Sequence, residues 1–517
     1  MKINNKNFVN KLLVIFLIFF SIIFNQYYGY IGILPIDSFL VFNSGYDLMN
    51  GNYPFKDYWT IKEPFIDLIQ AIFFKLFGVS WFAYVLHASI FNCIITISTF
   101  FILKRLNLDI KLSFFYSISV AILTYPTVGT PFSDHHTLVL CLLSFYSFVL
   151  AVSEKNNFYW FLTPILLGCS FMSKQAPTAY IIILISILSI IYFIKFKNFT
   201  SFIYAVAGII TTLIVFFTLI FLGNINFSDF FIQYFLYPQS IGSGRLEWLF
   251  PFEFKRIIWR FKLQYLSIAV LLYLFVKFSI LKKHKLSFDD LIIFGLILFC
   301  ILTIMHQLMT INAIYIYCLI PIFCGFSSVY AKKYLDKQIH ISFFLIVLTL
   351  GSSLYYYFSY VKNRTFMDLR GVNLENSIDA NAIHPKLSKI RWVTMFYPEN
   401  PAEEVSNIKF ALDILREDKD KKMIITDYQF ISVFLNEYDF SPTRFWYDYH
   451  GYPKEKNELF EYWKEFVLKK IRTNDIKKIY VLKPLHGETK PLENVLKNCY
   501  RQENFSETFY KLILNNC

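Results

Sequence analysis

The chain has 517 residues, of which 56% are hydrophobic, 20% aromatic and 17% charged, with a mean hydropathy of +0.45. A soluble domain is typically about 25% charged, so this composition excludes an ordinary soluble protein and points to the bilayer. The net charge of +13 does not signal nucleic acid, because Lys and Arg gather in alternate short loops, where they set membrane orientation; no nucleic-acid partner is expected.

A helix needs about 20 mostly apolar residues to cross a bilayer. Such runs are predicted at 12–34, 81–103, 112–128, 137–152, 159–173, 177–194, 201–222, 264–281, 290–306, 312–330 and 340–360. The basic stretch before the first run is followed by no small-residue cleavage site, which reads as an uncleaved anchor. With that end in the cytoplasm, the inside loops collect Lys104, Arg105, Lys111, Lys155, Lys195, Lys197, Lys282, Lys283, Lys285, Lys332, Lys333 and Lys337. This is the positive-inside pattern, and an odd number of spans places the tail outside. The expected fold is a polytopic α-helical membrane protein of about 11 transmembrane helices, residues 1–361, with a soluble α/β domain at 362–517. The expected location is the bacterial inner membrane, N-terminus cytoplasmic and C-terminal domain periplasmic.

The first outer loop, 35–80, is unusually ionisable, with Asp37, Asp47, Lys56, Asp57, Lys62 and Glu63. Asp37 precedes a helical run, Phe39 to Met49, that Asn50-Gly51 ends. It reads either as a helix N-cap or as a carboxylate fixed at the membrane surface, able to take a proton from an attacking group. Asp47 on the same helix would lie about 80° around the axis and roughly 15 Å along it, which argues against a paired-carboxylate site. Phe65 to Phe77 is apolar but short, and Asp67, Gln70 and Lys75 interrupt it, as expected of an interfacial helix.

Later loops add further candidates. Asp134-His135-His136 opens the fourth run; adjacent imidazole and carboxylate groups suit a divalent metal, with His306 as a further donor, and equally suit a polar wall for a substrate. Lys174 stands between two apolar runs, where an ionisable residue is costly and marks a functional position, or snorkels to the interface. In 223–263, aromatic residues alternate with basic ones; Arg245, after Gly242-Ser243-Gly244, is read as part of a mobile loop able to close over phosphate. After Tyr360, Lys422–Asp427 and Lys478–Lys483 read as buried strands. Leu459, Trp463, Phe466, Val467 and Ile471 mark one face of a helix between them. Six of eight cysteines lie in apolar runs; only Cys499 and Cys517 lie in the tail, where an oxidising compartment lets them pair.

The block Gly51-Asn52-Tyr53-Pro54-Phe55-Lys56-Asp57-Tyr58-Trp59-Thr60-Ile61-Lys62-Glu63-Pro64, set between a short acidic helix and an apolar stretch ending in Phe-Gly, resembles the first outer loop of GT-C type membrane glycosyltransferases. More narrowly it resembles the protein O-mannosyltransferase and lipid A aminoarabinose transferase branch. The family's second loop acid is here Ser38, and its K-P-P element is Lys62-Glu63-Pro64. The resemblance implies a glycosyltransferase that takes a hexose or pentose from a polyprenyl-phosphate-linked sugar to a glycan, lipid or protein acceptor on the outer face. Asp37 would be the base, and Lys62, Lys174 and Arg245 would contact the donor phosphate. Asp57, Asp134, His135 and His306 would line the substrate site. No cofactor is required by this chemistry, and a metal at Asp134, His135 and His136 is an added option. Two other readings compete: a flippase for lipid-linked sugars, and an O-antigen polymerase or ligase. Mid-span positions are almost wholly apolar, which disfavours the first, and the polar tail is C-terminal rather than between late spans, which disfavours the second.

Overall fold

The computed structural model describes residues 2–250, 253–281, 287–312, 314–335, 339–365, 369, 371–447, 451–497 and 499–515. It divides into two compact units that interleave in sequence: residues 1–29, 85–216 and 246–366 form one, and residues 30–84, 217–245 and 367–517 the other. The second therefore takes in the first outer loop together with the C-terminal sheet.

The first unit is helical. Among the described residues of the whole chain, nine helices are long and apolar enough to cross a membrane. That is two fewer than the predicted runs. The run at 112–128 forms a helix only over Ile110–Leu123, and 159–173 one over Asn157–Ser173. At 1.5 Å per residue these reach about 21 and 25 Å, short of a hydrocarbon core of about 30 Å. Sequence explains both stops. Pro126 disfavours continuation of the α-helix just before it; Thr124 leaves the helical region (φ −84°, ψ −97°) and Tyr125–Thr127 is a 3-10 turn. Lys174 is extended (φ −164°, ψ 134°), and Ala176, ahead of Pro177, is non-helical as well.

Side-chain amides and hydroxyls tie these helices together. The Asn25 amide donates to Ser89 Oγ (2.9 Å) and the Gly129 carbonyl (3.2 Å); Asn92 donates to the carbonyls of Ser21 (3.1 Å) and Ala121 (3.0 Å). Helices Ser133–Glu154 and Asn157–Ser173 form an antiparallel hairpin closed by Ser144 Oγ donating to the Thr163 carbonyl (3.0 Å). Gly208 sits so near the Phe161 carbonyl that a Cβ would lie 2.2 Å from it, the close approach small residues permit between membrane helices. On Phe199–Leu222 the apolar side chains Ile210, Ile214 and Leu222 point outward. Water would penalise so continuous an apolar surface, and lipid does not.

The second unit is α/β. Helix Pro35–Met49 starts with Pro at its first position and stops at Asn50, before Gly51 at φ +83°, the expected start and stop chemistry. It packs Phe39 and Phe42 against Trp81, Phe74, Trp392, Phe430 and Phe434. Helix Pro64–Phe77 buries Ile66, Asp67, Gln70, Ala71 and Phe74 and exposes Ile72, Leu76 and Phe77. Asp67 and Gln70 thus face inward, while Lys75 and an apolar face point outward.

Strands β1 (Ile378–Asp379) and β2 (Arg391–Trp392) make a small antiparallel pair. The main sheet comprises β3 (Lys422–Thr426), β4 (Lys478–Leu482), β5 (Tyr500–Asn504) and β6 (Phe509–Leu514) in the order β3-β4-β6-β5. β3 and β4 are parallel and the other pairings antiparallel. Helix Phe460–Asn474 lays Trp463 and Val467 into the core that Met423, Ile425, Ile479 and Val481 form. Trp59 of the first loop enters the same core, and its amide donates to the Pro442 carbonyl (2.8 Å). The two strands and the helix face therefore fall where the sequence places them. Cys499 is disulfide-bonded; Cys517 lies outside the described residues, as do Lys282, Lys283, Lys285 and Lys337 of the basic loops.

Candidate active site

Both units carry clustered ionisable side chains. In the second unit, Asp37 is not the N-cap of its helix. Leu34 holds that position, and Asp37 is the third helical residue, half-buried in the first turn. Ser38 Oγ accepts from the Leu34 amide (3.1 Å), so the residue in place of a second acid closes the turn. Asp37 is left at the positive end of the helix dipole, which favours a carboxylate.

Lys62 lies across a narrow pocket from that helix's buried face. The pocket is lined by Ser44, Tyr58, Lys62, Glu63, Asp67 and Arg444 among others, with room for about one water molecule. Lys62 Nζ is 3.0 Å from Glu63 Oε1 and 4.7 Å from the Phe445 ring centroid. Glu63 is buried in left-handed backbone (φ 79°) directly before Pro64, a conformation that costs a non-Gly residue of order 1–3 kcal/mol and recurs at functional sites. Ser44 Oγ donates to Asp67 Oδ1 (2.5 Å). Burial, with Glu63 nearby, holds the Asp67 carboxyl well above the usual carboxylate range, against the opposite pull of Ser44 and Lys62. Asp57 Oδ2 accepts from the Tyr53 amide (2.8 Å) and closes the turn.

Behind the pocket, Arg444 is buried between two carboxylates. Its Nε lies 2.6 Å from Asp47 Oδ2 and 3.2 Å from Asp439 Oδ2, and its Nη1 donates to the Ser441 carbonyl (2.7 Å). Burial works to lower the Arg444 pKa, but Asp439 and Asp47 hold it above the ordinary value. Asp47 is thus committed to Arg444 and not to Asp37, as the helical spacing indicated. Arg245 lies in helix Tyr237–Leu246. The Gly242-Ser243-Gly244 stretch before it is helical too, which corrects the mobile-loop reading, since nothing but backbone propensity favoured a loop there.

In the first unit, three of the sequence-selected residues converge. Lys174 Nζ donates to both oxygens of Asp134 at 2.7 Å, and His306 Nε2 lies 3.6 Å from Asp134 Oδ1. The neighbouring imidazoles turn elsewhere. His135 Nε2 meets Thr127 Oγ1 (3.0 Å), and His136 Nε2 meets His87 Nε2 (3.0 Å). Asp134, His135 and His136 therefore point to three different partners, and among the described residues no group of three or more His, Cys, Asp or Glu side chains could hold a metal.

Glu63, Asp67, Arg444 and His87 were not selected from sequence. Asp67 and Gln70 had a signal: two polar residues three apart in an apolar helix share a face. Arg444 and His87 had none that a single sequence displays.

Residues 62–221, under a third of the chain, match the family model described as dolichyl-phosphate-mannose-protein mannosyltransferase. The match begins at Lys62 and includes Asp134 and Lys174. It supports a membrane glycosyltransferase of the GT-C type. No curated protein matches the chain.

Proposed function

We propose that this protein transfers a sugar from a polyprenyl-phosphate donor to an acceptor at the outer, periplasmic face of a bacterial inner membrane. The observation that carries this reading is the match of residues 62–221 to a family whose described donor is a lipid-phosphate sugar. It is joined to an ionisable first loop in which a cation and three carboxyl groups sit close to one another.

In the proposed step, Asp37 accepts the proton of the acceptor hydroxyl as its oxygen bonds to the anomeric carbon. The bond from that carbon to the phosphate oxygen breaks in the same inverting displacement, and polyprenyl phosphate leaves. A cation at the leaving oxygen stabilises the charge that develops there. Lys62 takes this role by exchanging Glu63 for phosphate, with Arg245 as a further candidate in the same unit; in the helical unit the candidate phosphate contact is Lys174. Asp57 in the second unit, and Asp134, His135 and His306 in the first, are the candidate substrate contacts within each unit.

The test uses purified protein and a synthetic polyprenyl-phosphate sugar, without a sealed membrane, so that a transporter shows no turnover. Asp37→Asn is expected to lower transfer by about 10²–10⁴-fold, the range of general-base catalysis, with unchanged thermal unfolding. Turnover within a few-fold of wild type removes Asp37 as the base.

A further inference from the structure

A row of aromatic rings in the second unit runs from Lys62 to the C-terminal sheet. Lys62 Nζ lies over Phe445, whose ring stacks on Tyr447 (5.8 Å, 18°). Tyr447 stacks in turn on His486 (6.0 Å, 26°), and Phe396 meets the same imidazole edge-on (5.1 Å, 71°). The spacing is that of offset rings, and Tyr447 is 39% exposed.

The row ends on a carboxylate. Asp427 follows β3 directly, and His486 lies beyond the end of β4, so both stand at the C-terminal edge of the parallel pair, where α/β sheets bind ligands. Asp427 Oδ2 accepts from the His486 amide (2.8 Å) and meets its Nδ1 (2.7 Å). A carboxylate there fixes the imidazole plane and places the proton on Nδ1. Asp427 is fully buried, yet its Oδ1 has no hydrogen-bond partner. A buried acceptor left unpaired costs about 1–3 kcal/mol, so the Oδ1 atom calls for a donor.

The chemistry at the two ends narrows the ligand. Asp427 disfavours an anion, and Lys62 disfavours a cation. What fits is neutral, with an apolar face to lie on an aromatic ring and hydroxyl groups to donate to a carboxylate. We infer that Phe396, Phe445, Tyr447, His486 and Asp427 form a carbohydrate-binding site, which receives the sugar rings of a glycan acceptor. That the bound glycan is the acceptor rests on the transferase reading; that the site binds sugar does not.

The experiment uses the full chain in lipid nanodiscs, free of sugar-based detergent, with mannotriose as probe and no donor present. Saturation-transfer NMR and titration are expected to show binding to wild type. Tyr447→Ala, at an exposed position, weakens it by about tenfold or more, about 1.4 kcal/mol, while Tyr447→Phe retains it. Asp427→Asn and His486→Ala weaken it as well. Cleavage of a polyprenyl-phosphate sugar by water is measured separately in wild type. Equal affinity of wild type and Tyr447→Ala overturns the inference, as does binding of a Ser/Thr peptide but no oligosaccharide at this site. Loss of donor cleavage in wild type would instead remove the transferase reading and leave sugar binding standing.

Discussion

Arg444 and Asp47 meet at 2.6 Å with side chains only 2% and 3% exposed, one from the C-terminal part of the chain and one from the first loop. Asn43 extends the network by donating to Asp439 Oδ2 (2.9 Å) and Gln429 Oε1 (3.1 Å). Breaking a buried pair by removing one partner costs about 3–5 kcal/mol, because the other charge is stranded. Arg444→Met is therefore expected to destabilise the protein by that amount, and Arg444→Met with Asp47→Asn by less than the sum of the single changes. Additive effects in a denaturation series would show that the two side chains are not coupled.

Lys470 reports on the same region through pH. It is buried, its Nζ donates to the Asp57 carbonyl, and burial, with Arg444 nearby, lowers its pKa to about 7 against the opposite pull of Asp439, Asp57 and Asp47. Below about pH 7 the amine is charged in the folded and unfolded chain alike, and the full burial penalty is present. Between there and its ordinary value of about 10.4 the unfolded chain holds a proton that the folded one does not. Stability therefore rises with pH across that window, with a limiting slope of about 1.36 kcal/mol per pH unit from this group. Lys470→Met should be more stable than wild type at pH 6.5 and should lose this slope. Parallel pH profiles for the two proteins would contradict the assignment.

Much of the fold was legible because its signals are local. Apolar runs gave the helices, and the buried runs at 422–427 and 478–483 gave the parallel strands. Helix length was read less well. Hydropathy averages across Pro126, whereas backbone geometry breaks there. The site divides along the same line. Asp37, Lys62, Asp134 and Lys174 stand out because charge is rare in this sequence. Arg444, Asp439 and His87 matter through partners far away in the chain, Arg444 to Asp47 and His87 to His136, and nothing in the residue pattern encodes those meetings.

Lys62 is expected to answer to Glu63. The 3.0 Å contact means that a donor phosphate must displace the Glu63 carboxylate. Lys62→Ala removes a charge-assisted contact of about 1.5–3 kcal/mol, and donor KM should rise by about 10–100-fold. Glu63→Gln removes a carboxylate that competes with the donor phosphate, and donor KM should fall. Donor titrations of the two variants that move together, or not at all, would take Lys62 out of the phosphate site.

Asp134 and Lys174 give a test confined to the helical unit. Lys174 donates to both carboxylate oxygens at 2.7 Å, and the side chains are 8% and 19% exposed, so neither charge is well solvated alone. Asp134→Ala strands Lys174 and Lys174→Met strands Asp134; each is expected to destabilise the protein by about 3–5 kcal/mol. Asp134→Asn with Lys174→Met leaves no stranded charge and should recover most of that loss. If Lys174 is only a structural partner of Asp134, the double variant regains transfer activity along with stability. If Lys174 contacts the donor phosphate, the double variant is stable and donor KM stays high, because a phosphate has lost its cation whether or not Asp134 is charged. Thermal unfolding and donor titration of the three variants separate the two roles.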